Sequence, residues 1–120
     1  MAKILLLPLF ATAAAGCGHS PSAAPVSDCP DDQQAGCPDG ALTYDTGIGA
    51  LLDERCSPCH AAGGVEASTL LLTDYDHARG AQTSIGSQLV TCSMPPAGSP
   101  QLSSDERQQI LDWLTCGTLR

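Results

Sequence analysis

The pentapeptide Cys56-Ser57-Pro58-Cys59-His60 sets two thiols and an imidazole within five consecutive positions. It limits the fold more than any other feature, because chemistry that uses those side chains together pins the backbone there. A pin is needed. Beyond the N-terminal apolar run, the aromatic residues are Tyr44, Tyr75 and Trp113. A folded segment of roughly 75 residues with so few large apolar groups commonly needs a staple or a cofactor to be stable. The pattern C-x-x-C-H is open to three uses: haem attachment, a metal or redox cysteine pair, and a plain disulfide.

The 120 residues suffice for one small domain, and the N-terminus takes part of them away. "MAKILLLPLFATAAAGC" carries Lys3, an apolar run from Ile4, and Ala-Ala-Gly before Cys17. This is the layout of a secretory leader, too short to span a membrane permanently. The small residues ahead of Cys17 resemble a bacterial lipoprotein signal, with Ala14 where that family usually has Leu. The resemblance implies a signal peptide over residues 1–16, a lipid on Cys17, and a membrane-anchored protein of the periplasm or cell envelope. An ordinary leader cut nearby leaves Cys17 as a thiol instead. Residues 17–41 are rich in Pro, Ser, Gly and Asp and poor in large apolar groups, so they read as a disordered tether. The folded domain is expected over residues 42–120.

The formal charge is −8. Loss of Lys3 with the leader leaves four basic residues, all arginine, against thirteen acidic ones, a net of −9. Such a surface does not bind nucleic acid through phosphates. It serves solubility first, and it suits a partner with a basic patch, the association weakening with salt.

No segment alternates as a strand does, and the domain is expected to be all-α, with three to four short helices. "YDTGIGALLDERC" places Ile48, Leu51, Leu52 and Arg55 at near-helical spacing, a helix over residues 46–56. "AAGGV" is a loop. "STLLLTDYDHARG" supplies Leu70, Leu71 and Leu72 and a turn or short helix ending at Gly80. "AQTSIGSQLVTC" puts Ile85, Leu89 and Val90 on one helical face. The prolines of "SMPPAGSPQ" make a loop. In "LSSDERQQILDWLTCG", Ser103 and Glu106 form a capping box, Ile110, Leu111, Trp113 and Leu114 an apolar stripe, and Gly117 the stop.

C-x-x-C-H is the attachment signature of c-type haem. Two thiols at this spacing add across the two vinyl groups of one porphyrin, and the adjacent histidine falls beneath the iron. A thioredoxin-like pair needs a βαβ pattern, which is absent. Structural zinc usually needs a second close ligand pair, and Cys29 and Cys37 are too far apart in sequence for one. A Cys56–Cys59 disulfide is the bland alternative. Cysteine parity fits the haem reading: of seven cysteines, Cys17, Cys56 and Cys59 are assigned, and Cys29, Cys37, Cys92 and Cys116 can close two disulfides. A Cys56–Cys59 disulfide leaves the same even count. Met94, in "CSMPPAG", is the only methionine besides the initiator. In a proline-stiffened loop it is a candidate distal iron ligand. His19 in the tether and His77 beside Asp76 read as surface residues.

The order "YDTGIGALLDERCSPCH", "SMPPAG", "LSSDERQQILDWLTCGT" resembles a small class I cytochrome c domain over residues 44–118. The resemblance implies one covalent haem c held by Cys56 and Cys59, with His60 as proximal and Met94 as distal iron ligand. It also implies a crossing of the first and last helices through Gly49 or Gly47 and Trp113. The family's proline on the proximal side has no counterpart, since "AAGGV" follows His60 directly. Cys92 and Cys116 are extra to such a domain. Cys92–Cys116 and Cys29–Cys37 are the expected disulfides, out of three possible pairings. The function implied is outer-sphere electron transfer between redox partner proteins at a membrane surface, without enzymatic activity. The alternatives are a haem-based sensing or ligand-binding module with an open distal site, and a haem-free, disulfide-stapled structural lipoprotein.

Overall fold

A computed structural model of the chain describes Cys29, residues 36–68 and residues 70–120. The expected signal peptide, Cys17, His19 and most of the expected tether lie outside the described residues. Those described are helical, with no strand among them.

A π-helical turn, Tyr44–Ile48, runs into α1, Gly49–Arg55, and then the single turn α2, Ser57–His60. The run begins two residues before the expected start. Thr43 caps it, exchanging bonds with Thr46 in a reciprocal box. After a looped return come α3, Tyr75–Gly80, and α4, Gln82–Val90. Asp74 caps α3, accepting from the His77 amide at 3.0 Å and lying 2.6 Å from its ring Nδ1. His77 is thus part of a helix cap. The last helix, α5, is Ser104–Thr115. Its Ser103–Glu106 box forms as the sequence predicts. Gly117, at φ +83, closes it, with Gly117 N–H donating to Leu114 O and Thr118 N–H to Trp113 O. These two bonds make a Schellman stop.

The core gathers Ile48, Leu52, Leu72, Ala78, Ile85, Leu89, Leu102, Ile110, Leu111 and Trp113. Trp113 is fully buried, and its indole N–H donates to Leu119 O at 2.8 Å. Two expectations fail here. Val90 is 54% exposed: α5 covers the Ile85/Leu89 line of α4 but not the residue one step further round. The glycine–aromatic crossing also takes another form. The atoms nearest a side chain at Gly47 or Gly49 belong to Leu42 and Tyr44. It is Tyr44 that meets Trp113, at 6.3 Å between ring centroids, with Tyr75 edge-on at 5.4 Å.

The disulfides also differ from expectation. Cys29 pairs with Cys92 and Cys37 with Cys116, rather than Cys29 with Cys37 and Cys92 with Cys116. The reason is the path of the chain entering the domain. Tyr44 N–H donates to Leu119 O, which brings the preceding residues beside the end of α5, where Cys116 lies. The Cys29 sulfur lies 3.7 Å from Val90 O, at the end of α4 and next to Cys92. The two bonds therefore fasten Cys29 to the end of α4 and Cys37 to the end of α5.

Candidate functional site

The C-x-x-C-H residues are carried by the turn that α1 runs into. Cys56 N–H still donates to Leu52 O, and Cys59 and His60 N–H both donate to Cys56 O. Spacing of three and four along a helical turn puts Cys56, Cys59 and His60 on one side.

A short helix leaves its last carbonyls without partners. Here the returning chain supplies them. Glu66 N–H donates to Cys59 O at 3.0 Å and Leu72 N–H to His60 O at 2.8 Å, while the Ser57 hydroxyl donates to Leu72 O. This return is tight, and a Cβ at Gly64 would overlap the Cys59 carbonyl. Only glycine fits there.

The same return fixes the histidine. His60 Nδ1 lies 3.0 Å from Leu70 O. A carbonyl only accepts, so Nδ1 is the donor here, and in the neutral ring the lone pair is then on Nε2. This is the second-shell arrangement that orients a metal-binding imidazole. The sequence could not disclose it, because a main-chain acceptor has no side-chain signature.

The two thiols differ. Cys56 is a free thiol, and burial pushes its pKa up to about 11. It is therefore protonated at neutral pH, whereas redox and metal-binding cysteines have lowered values. Cys59 is disulfide-bonded. The Cys56–Cys59 disulfide is thus not formed. Among the described residues no group of three or more His, Cys, Asp or Glu is placed to hold a metal ion.

Met94 is half-buried in the loop between α4 and α5, and the Met94–Pro95 peptide is cis. Its bonds run to α4 and α5 rather than to α2. Met94 N–H donates to Gln88 O, and Met94 O accepts from Arg107 Nη1 at 3.3 Å. Gln101 Nε2 donates to the carbonyls of Pro95, Pro96 and Ser99. The sequence reading overlooked both Arg107 and Gln101; a basic residue in the first turn of an otherwise amphipathic helix was the available signal.

A shallow hollow of about 510 Å³ opens between the return and α3, lined by Ala67, Leu70, Leu71, His77 and Ala81. Cys56, Cys59, His60 and Met94 do not line it. The Tyr44 phenol pKa is raised, first by burial and then by Asp74, Asp53 and Asp45, against a lowering by Arg120. Among the described residues no helix is long and apolar enough to cross a membrane.

A covalent haem suits the His60 environment and the free Cys56. It requires the Cys59 sulfur to form a thioether in place of its disulfide. The chain matches no family model, no curated protein and no solved structure.

Proposed function

We propose that this chain is a monohaem c-type cytochrome, an outer-sphere electron carrier tethered at a membrane surface. The observation that carries the reading is the His60–Leu70 bond, which leaves Nε2 free directly after a C-x-x-C pair. A haem bound there supplies one-electron Fe(II)/Fe(III) cycling. Cys56 and Cys59 would hold it through thioethers, and His60 and Met94 would be its iron ligands. With both residues as ligands the iron would bind no substrate, a role of electron transfer rather than enzymatic catalysis. A methionine–histidine pair favours a raised potential. The acidic surface suits a redox partner with a basic patch, and a lipid on Cys17 would hold the domain near partners at the membrane.

One observation favours a second reading. Cys59 is disulfide-bonded, as a haem-free, disulfide-stapled exported protein would have it. A thioether and a disulfide at Cys59 exclude each other, so one experiment separates the two. The full chain is expressed with a c-type maturation system and run on a denaturing gel stained for haem. Haem that stays on the polypeptide, and is lost in Cys56→Ala/Cys59→Ala, is the expected result. A colourless band with Cys59 in a disulfide overturns the cytochrome reading. A third possibility, a sensing module with an open distal site, predicts immediate carbon monoxide binding on reduction.

A further inference from the structure

Arg107 sits in the first turn of α5 and is 3% exposed. Among the described residues no carboxylate lies within ion-pair distance of it. Burying an unpaired cation is costly unless dipoles replace its hydration. Here the replacement is two carbonyls. Nη1 donates to Leu89 O at 3.0 Å and to Met94 O at 3.3 Å. Leu89 O belongs to the last turn of α4, where the helix dipole favours a positive charge. A bond to that turn alone would make Arg107 an ordinary helix cap. The second bond reaches five residues beyond Leu89, past the end of the helix, and takes hold of the peptide of the candidate distal ligand.

The two flanking constraints act on the same piece of chain. Ser93 and Met94 N–H both donate to Gln88 O, and Gln101 grips the three carbonyls that follow. Arg107 is the charged member of this set and the one held in the core. From this we infer that Arg107 is a positioning residue for Met94, holding the loop closed so that the thioether is presented without an ordering cost on ligation. The inference rests on the haem reading above. A ligand that binds iron only when the loop is open has an apparent affinity reduced by the open fraction, so a looser loop binds it more tightly.

The test uses the matured full-length holoprotein and imidazole as the competing ligand. Arg107→Met removes both bonds while keeping bulk, and Arg107→Lys keeps the charge without the planar fork. A hydrogen bond from a charged group is strong enough that Arg107→Met should lower the half-saturating imidazole concentration about tenfold. Arg107→Lys should fall between it and wild type, with covalent haem content unchanged in both. Amide exchange at Ser93 and Met94 should rise in the same variants, a readout that does not pass through iron. Unchanged imidazole affinity and unchanged exchange in both variants overturn the inference. Loss of folding in Arg107→Met leaves Arg107→Lys to decide by the same two readouts. Two other failures are distinguishable. Absence of covalent haem from wild type overturns the cytochrome reading itself. Attached haem that lacks a sulfur-to-iron charge-transfer band removes Met94 as ligand, and the inference with it.

Discussion

Arg55 and Glu106 join the end of α1 to the start of α5: Arg55 Nε and Nη2 both donate to Glu106 Oε1, at 3.0 and 2.7 Å. The other oxygen of the same carboxylate accepts from Ser103 N–H at 2.7 Å. One side chain thus closes the capping box and locks the helix that leads into Cys56 against the last helix. Bonds from the Ser103 amide and from Arg55 hold the Glu106 carboxyl below its usual range. A depressed carboxyl stabilises the fold above its unfolded value of about 4.3, and that contribution is lost as pH falls through the depressed value. Glu106→Gln should therefore lower Tm at pH 7, with the gap to wild type narrowing in acid. A gap that stays constant down to pH 3, below about 4.3, would show the charge to be irrelevant.

Ser103→Ala tests the other half of the same cap. The Ser103 hydroxyl accepts from Glu106 N–H at 3.1 Å. Its loss should cost about 1 kcal/mol, a fall in Tm of about 4–8 °C for a domain of this size. A smaller change than about 1 °C would mean that the helix start is held by Arg55 and core packing instead.

Gly64 should be intolerant of any side chain. A Cβ there would overlap the Cys59 carbonyl, which Glu66 N–H also occupies. Gly64→Ala must push the return away from α2, at a cost of about 1–3 kcal/mol. The displacement should also weaken the His60–Leu70 bond, visible as a change in the His60 ring proton signals by NMR. Gly63, at φ +85 with nothing near it, offers a comparison in which backbone strain acts without a clash. Substitution there should lower Tm without touching His60.

The two disulfides make a claim that peptide mapping decides. Digestion without reduction should yield Cys29 linked to Cys92 and Cys37 linked to Cys116. Each closes a long loop, with sequence separations of 63 and 79, and removal of either should cost about 2–4 kcal/mol. Recovery of a Cys29–Cys37 peptide would reverse the assignment and release the segment before residue 41 from the domain.

What the sequence disclosed was local. Ser103, Glu106 and Gly117 announce a helix start and stop because their side chains, or the lack of one, do the capping themselves. The Thr43–Thr46 box carries a threonine where Glu or Gln usually signals the motif, so the sequence pattern starts the first helix two residues late. Periodicity groups Val90 with Ile85 and Leu89, but it describes a helix alone, without the width of the helix that covers it. The disulfide partners, the Leu70 carbonyl and the Arg107 grip on Met94 depend on where distant backbone comes to rest. Cys37 is separated from Cys116 by nearly the whole domain, and Cys59 is disulfide-bonded as well, so parity gave neither the partners nor the use of Cys59.

The Cys56 thiol supplies a pH-dependent test on the haem-free polypeptide. Burial raises its pKa to about 11, against about 8.5 in an unfolded chain. The protonated thiol is the form the fold accommodates, so its contribution is intact below the unfolded value and is lost as pH rises toward 11. Two outcomes follow from the one shift. Iodoacetamide should label Cys56 slowly in the folded protein at neutral pH and rapidly once the protein is unfolded, because the thiolate is the reacting form. Thermal stability should also decline through the alkaline range more steeply than in Cys56→Ala, which has no group to ionise there. Rapid labelling of the folded protein at neutral pH would place the thiol in an exposed or electropositive setting. The pair would then look like a redox or metal site, contrary to the reading adopted for Cys56, Cys59 and His60.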